Sequence, residues 1–184
     1  MQGKTDLSKY DNRWYDPGAS FPVRIIWYLF NRAFFISYFP FSSVKIFLLK
    51  LFGARIGEGV IIKPHVNIKY PWNLKIENHC WIGEGVWIDS LGRVEIGNNC
   101  CISKGALLLS GNHDYKNSTF DLIVREIILE DGVWIGAKSI VCGGVTCKSH
   151  AILSAGSVAT ANLEEYSIYQ GNPAVKIRDR EITE

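Results

Sequence analysis

Apolar residues recur every six positions along most of the chain. From residue 129 onward each hexad opens with an aliphatic or small apolar residue, and its fifth place is also small. This period fits neither an α-helix of about 3.6 residues per turn nor an independent alternating strand. The repeating unit must be a short strand and a turn that stack on copies of themselves, which predicts a β-solenoid. The openers here are Leu129, Ile135, Val141, Cys147, Leu153 and Ala159.

The same phase occurs upstream, where the spacing between openers lengthens at three places, to eight, eight and 21 residues. Each lengthening follows a group of three hexads, so three hexads form one coil and the chain forms five. All insertions then fall at one corner of a triangular prism, as solenoids place loops along one functional edge. The upstream openers are Ile56, Ile62, Ile68, Ile76, Ile82, Ile88, Ile96, Ile102 and Leu108.

The first 54 residues lack the hexads, and their pattern predicts two helices. Ser20 and Pro22 indicate one helix start, and a second helix is predicted from Ser42 to Gly53. Neither apolar run reaches the roughly 18 uninterrupted residues of a membrane span. Two roles for this aromatic-rich arm stay open, to cap the first coil or to lie on a bilayer surface. The face expected to be buried in the second helix comprises Val44, Phe47, Leu48 and Leu51.

The largest insertion, residues 109–128, carries the sequence GNHDY near its start. Loops longer than about 12 to 15 residues within a compact domain are usually functional or disordered. His113 lies in this loop, and an imidazole can take up and return a proton near neutral pH. His113 is therefore a candidate general base, with a surface histidine of no catalytic role as the alternative.

Composition narrows the function without specifying it. The chain has 184 residues, 47% hydrophobic content and a net charge of +2, which suits a single domain with a continuous core. No basic run is interleaved with aromatic residues, so we expect no nucleic acid partner. Cys80 and Cys100 occupy fifth places one coil apart and are interpreted as buried thiols, with a disulfide as the alternative. The start lacks a signal-like apolar segment, which predicts the cytoplasm, including the inner face of the plasma membrane if the arm contacts lipid.

Several motifs in sequence order resemble a known family. The isoleucine-rich hexads, GNHDY, DGVWIGAKSIVCGGVT, LSAGSVAT and YQGNPAVKIR are similar to the hexapeptide-repeat acyltransferases. FGARIGEGVIIKPHVNIKYPWNLKI and the aromatic arm resemble the exopolysaccharide branch, the colanic acid biosynthesis acetyltransferases. The resemblance covers nearly the whole chain. It implies a mainly β fold, a left-handed parallel β-helix of about five triangular coils with an N-terminal helical arm and a short C-terminal tail.

This resemblance also implies an activity. We expect an acetyl-CoA-dependent O-acetyltransferase acting on a sugar or glycan hydroxyl, free or lipid-linked, in a homotrimer with sites between neighbouring prisms. The expected units are an arm at 1–54, a β-helix at 55–161 with the catalytic loop 109–128, and a tail at 162–184 that closes the CoA site. No metal is expected, because a zinc site of the carbonic anhydrase type needs three histidines, and only His79 and His113 are suitably spaced.

The site residues are carried over from the family's motifs. His113 matches the catalytic histidine. The residues matching the CoA site are Trp134, Gly136, Ala137, Ala155, Gly156, Ser157, Thr160 and Arg178. Two departures are Ala161, where relatives often have lysine, and the segment 147–150, which replaces the usual Ile-Gly start of a coil.

Four polar residues are candidates for binding or orienting the acceptor. Asp89 lies beside an inserted corner, Asn112 and Asp114 flank the histidine, and Glu84 is a weaker candidate of the same kind. Each is also explained by a turn or a solvated surface. His65 and His79 are interpreted as turn residues.

Two alternative functions remain at this stage. One is an acetyltransferase for a xenobiotic or amino-acid acceptor on the same scaffold. The other is a non-catalytic β-solenoid that binds a partner along its flat faces.

Overall fold

Three parallel sheets form the sides of a triangular prism in the computed structural model, which describes residues 3–183. Each coil gives one strand to each sheet, and each strand pairs with the strands one coil away. The predicted five coils are confirmed. Their strands are, by coil, β1 Arg55–Ile56, β2 Ile61–Ile62 and β3 Asn67–Ile68; β4 Leu74–Ile76, β5 Trp81–Ile82 and β6 Trp87–Asp89; β7 Val94–Ile96, β8 Cys101–Ile102 and β9 Leu107–Leu109; β12 Ile127–Leu129, β13 Trp134–Ile135 and β14 Ile140–Cys142; and β15 Thr146–Cys147, β16 Ile152–Leu153 and β17 Val158–Ala159. The sheet of the first strands is called face A, that of the second strands face B and that of the third strands face C.

The hexad openers form the core of the prism. None of them is more than 8% exposed, and most are fully buried. Stacking identical positions buries apolar side chains in continuous columns, and each buried aliphatic side chain stabilises the fold by about 1.5–3 kcal/mol. Cys80 and Cys100 are buried free thiols, and each donates to a backbone carbonyl of the next coil.

At every corner without an insertion between two strands of the prism, the fourth place of the hexad has a left-handed backbone conformation. Glycine occupies many of these places, because it adopts a positive φ without steric cost. Other corners use His65, His79 and His150, whose φ angles are 59°, 58° and 62°. Three of the four histidines are therefore corner residues, as expected for His65 and His79.

All three insertions lie at the corner between faces C and A, as predicted. The first contains a short 3-10 turn at Pro71–Asn73. The largest is not an irregular loop, since β10 (Gly111–His113) and β11 (Leu122–Val124) pair antiparallel within it. This hairpin gives the protruding segment backbone hydrogen bonds of its own.

The C-terminal segment is a β-hairpin rather than a simple tail. Leu163 bridges to Cys147 and begins a partial sixth coil. β18 (Ser167–Gly171) then adds to face B beside β16, and β19 (Ala174–Asp179) pairs antiparallel with β18. Face B is thus two strands wider than the other faces.

The N-terminal arm lies against the first coil. It consists of α1 (Phe21–Phe30), a π-helical turn (Asn31–Phe35) and α2 (Ser42–Leu51). The Trp27 indole donates to the Ile68 carbonyl at 2.9 Å, and the Asn31 amide donates to the Asn67 side chain at 2.8 Å. Within residues 3–183, no helix has the length and hydropathy to cross a bilayer.

The predicted buried face of α2 is wrong. Val44, Phe47 and Leu51 are exposed, whereas Lys45 is fully buried. The Lys45 amine donates to the Lys63 carbonyl of the first coil at 2.8 Å, which satisfies a polar group that periodicity alone would place in solvent. The helix therefore buries Leu48, as expected, together with Leu49, while three of its apolar side chains face outward.

Lys45 predicts a pH dependence of stability. Burial lowers the pKa of Lys45 to about 8, against roughly 10.4 in an unfolded chain. Between these values the unfolded state binds more protons, so the free energy of unfolding should rise as the pH increases from about 8 to about 10. Thermal unfolding of wild type and Lys45→Met at pH 7 and pH 10 measures this effect. The wild type should gain more on going to high pH than the variant, and equal gains would contradict the assignment.

Candidate active site

His113 ends β10 at the outer side of the hairpin. Its Nδ1 lies 2.9 Å from the Phe120 carbonyl oxygen. Since a carbonyl only accepts, the hydrogen bond requires the proton on Nδ1 and leaves the lone pair on Nε2. This arrangement gives the ring a nitrogen that is free to accept a proton.

Aromatic contacts fix the plane of the His113 ring. The Phe120 ring stacks on it with a centroid distance of 4.5 Å and an interplanar angle of 9°. Tyr10, from the N-terminal segment, approaches the ring at 5.8 Å. The imidazole is therefore oriented by both a hydrogen bond and a stacked ring.

Asn112 and Asp114 stabilise the hairpin itself. The Asn112 side-chain oxygen accepts from the His113 backbone N–H at 2.8 Å. The Asp114 carboxylate accepts from the Lys116 backbone N–H at 3.1 Å. Both residues also line a cavity beside His113. They therefore stabilise the hairpin and lie next to the candidate base.

His113 lies between two cavities. One of 370 Å³ is formed by the hairpin and the adjoining coil, including Arg125 and Gly143. The other, of 540 Å³, lies between the hairpin, the N-terminal segment and the corner of the prism. The larger cavity is lined by Tyr10, Asn12, Arg13, Tyr15, Pro17, Arg24, Lys69, Tyr70, Leu91, His113 and Leu122.

Cationic side chains and one buried carboxylate lie at the larger cavity. Lys69 lines the cavity and pairs with Asp89, whose carboxylate oxygen is 3.3 Å from the amine. Asp89 is only 6% exposed and does not line the cavity, so it contacts Lys69 from within the prism. Arg24 has a buried Nε without a hydrogen-bond partner among residues 3–183. The Tyr15 hydroxyl donates to the Leu91 carbonyl at 2.7 Å, and burial raises the pKa of Tyr15.

Four of the eight residues matched to the CoA site lie at a different corner. Gly136 and Ala137 form the turn from face B to face C in the fourth coil, and Ala155 and Gly156 form the same turn in the fifth. The Gly156 N–H donates to the Ala137 carbonyl at 2.9 Å. These two turns are stacked directly, whereas His113 leaves the prism at the corner between faces C and A.

Close backbone approach explains the glycine at position 136. A Cβ there would lie 2.5 Å from the Ala155 nitrogen and 2.7 Å from the Leu153 carbonyl oxygen. Both neighbours are backbone atoms that cannot move independently of the coil. The stacked turns therefore present a narrow backbone surface with no side chain at this point.

Trp134 and Arg178 share one row of face B. Trp134 is in register with Ile152, Ile152 with Ile168 and Ile168 with Arg178. Trp134 is 45% exposed, and its indole donates to the Ser103 hydroxyl at 2.9 Å. Three strand spacings of about 4.8 Å separate the ends of this row, which is a suitable span for an extended ligand.

Three predicted residues are not with these groups. Ser157 is buried, and its hydroxyl accepts from the Gly171 N–H at 3.0 Å. Thr160 follows β17 and is exposed toward the corner between faces C and A. Glu84 lies in the turn between faces B and C of the second coil, 3.6 Å from the Lys104 amine. No cluster of three metal-ligating side chains occurs within residues 3–183.

The sequence analysis missed the N-terminal segment as part of this site. Its Asp6 N–H donates to the Ser118 carbonyl of the large insertion at 2.8 Å, and Trp72 donates to the Pro17 carbonyl. These contacts bring Tyr10, Arg13 and Tyr15 to the cavity beside His113. The segment lies before the predicted helix and has no periodic pattern, so only its density of aromatic and charged residues could have indicated a role.

Comparisons with known proteins agree with this architecture. The colanic acid biosynthesis acetyltransferase WcaF of Escherichia coli strain K12 is 36% identical to this chain over 140 residues. These residues cover 76% of this chain and 77% of WcaF. The galactoside O-acetyltransferase of the same strain is 26% identical over 135 residues, which cover 72% of this chain and 66% of that enzyme. No family model matches the sequence.

A solved structure supports the fold class. The hexapeptide-repeat acetyltransferase of Vibrio cholerae, solved in complex with acetyl coenzyme A, matches with a TM-score of 0.80 over 91% of this chain and 93% of that one, at 18% identity. At this identity the likeness shows the fold alone. It confirms the predicted β-helix of this class.

Proposed function

Since the chain belongs to the hexapeptide-repeat acetyltransferases and is related to WcaF, we propose that it transfers an acetyl group from acetyl-CoA to a sugar hydroxyl in exopolysaccharide biosynthesis. The observation that carries the proposal is the His113 imidazole. Its Nδ1 donates a hydrogen bond to the Phe120 carbonyl, and its ring lines the two cavities at the corner between faces C and A. The sugar specificity rests on the relation to an enzyme assigned to polysaccharide synthesis.

His113 is the general base of the proposed reaction. Its Nε2 removes the proton of the acceptor hydroxyl as the oxygen attacks the thioester carbonyl carbon. The carbon–sulfur bond then breaks, the acetyl ester forms, and the CoA thiolate leaves and takes up a proton. A thiol is a good leaving group, so the demanding part of the step is activation of a poorly acidic alcohol.

An acyl-enzyme on cysteine is not part of the proposal. Cys80, Cys100 and Cys147 are buried in the core, and burial of the Cys147 thiol raises its pKa to about 12. The thiolate is the nucleophilic form of cysteine, so burial disfavours this residue as a nucleophile.

The 540 Å³ cavity is the proposed acceptor site. Tyrosine rings and charged side chains suit a sugar, which presents both apolar ring faces and hydroxyl groups. Asp89 positions Lys69 at this cavity through their ion pair. The donor would lie along the stacked turns and face B, with its pantetheine arm near Gly136 and its nucleotide toward Arg178.

His113→Ala tests the base directly. It should lower kcat by at least about a hundredfold, equivalent to about 2.7 kcal/mol of transition-state stabilisation, with little change in acetyl-CoA binding. Thiol release from acetyl-CoA, measured over a panel of glycans, thiogalactosides and antibiotics, supplies the assay.

A matched control separates the base from a general effect of losing imidazole. His79→Asn changes a corner histidine to another residue that tolerates its left-handed backbone, and it should retain wild-type kcat. A His113→Ala enzyme that keeps a third of wild-type kcat on its true acceptor would remove the mechanism. Preference for an antibiotic over every glycan would instead replace the proposed substrate.

The proposed site requires more than one chain. The base lies at the corner between faces C and A, whereas the stacked donor turns lie at the corner between faces B and C. A neighbouring prism can bring its B–C corner against the first chain's hairpin, and a cyclic trimer satisfies every site in this way. Light scattering should give three times the 20.7 kDa chain mass, and a stable monomer with full activity would contradict it.

Arg178 predicts a specific effect on the donor. Its guanidinium is exposed on β19, where a charge-assisted bond to the 3′-phosphate of CoA is available. Arg178→Ala should raise the KM for acetyl-CoA roughly tenfold and barely change use of the dephospho-CoA thioester. Lys176→Ala is the control on the same strand, because the Lys176 amine is paired with Glu164 and Asp179. Equal losses on both donors would make Arg178 structural.

A further inference from the structure

The outer face of the arm exposes large apolar side chains. In α1 the fractional exposures reach 66% at Phe21 and 60% at Leu29, and only Trp27 is buried. In α2 they reach 65% at both Phe47 and Leu51. Soluble monomers rarely leave so many neighbouring apolar residues uncovered, so this surface indicates a partner. The exposed set is Phe21, Val23, Ile25, Ile26, Tyr28, Leu29, Tyr38, Phe41, Val44, Phe47 and Leu51.

Aromatic contacts connect the two helices of the arm. The Trp27 and Phe30 rings of α1 both contact the Phe52 ring that follows α2, at 5.1 and 5.7 Å. The connecting segment continues this aromatic contact from Phe34 to Phe39. The C-terminal end of α2 and the inner side of α1 therefore meet through aromatic rings against the first coil, and the exposed apolar side chains lie outside these contacts.

The burial of Lys45 strengthens this interpretation. The inner side of α2 buries Leu48 and Leu49 together with Lys45, whose amine donates to the Lys63 carbonyl, while Val44, Phe47 and Leu51 stay exposed. A helix that served only to cap the core would bury its apolar side chains and expose the amine. The observed orientation instead leaves its apolar side chains available to a second environment.

Charge identifies the kind of environment. Residues 17–57 contain five cations and no aspartate or glutamate. Arg32, Lys50 and Arg55 are exposed, Arg24 is half-buried, and Lys45 is buried against the first coil. The whole chain carries only +2, so the rest of the chain is net negative. This asymmetry would orient the arm toward an anionic surface and the prism away from it.

We propose that the outer face of the arm binds the surface of an anionic lipid bilayer. Amphipathic helices of this kind lie in the interface, with apolar side chains below the headgroups and Lys or Arg beside the phosphates. Arg32 and Lys50 are exposed and can reach headgroups, while Leu29 and Phe47 enter the acyl boundary. A second copy of the arm fits this face less well, because it would bring cations against cations with no acid between them.

Vesicle co-sedimentation of the full chain tests the proposal without an activity assay. Wild type should bind vesicles of phosphatidylcholine mixed with phosphatidylglycerol, release with added salt and fail to bind phosphatidylcholine alone. Leu29→Glu combined with Phe47→Glu should weaken binding at least about tenfold. Val175→Glu, at an equally exposed apolar position of the C-terminal hairpin, is the matched control and should bind as wild type does.

A charge variant keeps the test informative if the apolar variant folds poorly. Arg32→Gln combined with Lys50→Gln should reduce binding to the anionic vesicles, whereas Lys148→Gln on the fifth coil should not. Absence of binding by wild type, or equal binding to both vesicle types, would overturn the proposal. Light scattering completes the test by measuring the particle mass of wild type and of the Leu29→Glu, Phe47→Glu variant. If wild type does not bind vesicles and the variant has a different particle mass, the face binds a second copy of the chain instead.

Discussion

Every corner that connects two strands of the prism without an insertion has one residue in the left-handed backbone region, and this requirement underlies the arrangement of the coils. The residue sits at the fourth place of the hexad, directly before the small fifth-place residue that points into the core. Glycine meets the requirement at Gly59, Gly85 and Gly105, and histidine, asparagine or lysine meets it elsewhere. Because each such corner returns the chain to the next face in the same number of residues, strands of successive coils stay in register.

This local requirement explains why the prism was predictable from sequence. The identity of a core position depends only on its place in the hexad, so periodicity gave the openers, the number of coils and the corner that holds the insertions. It also separates the histidines. His65, His79 and His150 serve corners, whereas His113 is the one held by a hairpin outside the repeat.

Features that depend on contacts between the repeat and its additions were not predictable in the same way. The inner face of α2 includes Lys45, because its amine donates to the carbonyl of Lys63, which lies outside the helix. Likewise, Tyr10 and Tyr15 reach the candidate site because the N-terminal segment bonds to residues far along the chain, at Ser118 and Leu91. These hydrogen-bond partners lie far apart in the sequence. Helical periodicity therefore predicted the wrong face for α2, and it predicted no role for the N-terminal segment.

The difference between the repeated coils and the segments added to them also bears on how acceptor specificity arises in this fold. The stacked turns near Gly136 are restricted by backbone atoms on both sides and offer little room for variation. By contrast, the walls of the 540 Å³ cavity come from the N-terminal segment, the hairpin and the inserted corners, none of which is bound by the hexad pattern. A family that shares one donor can therefore change its acceptor by altering these additions while the coils stay intact. On this reasoning we expect Arg13, Tyr15 and Arg24, which line this cavity, to determine which acceptor hydroxyl the proposed base His113 receives.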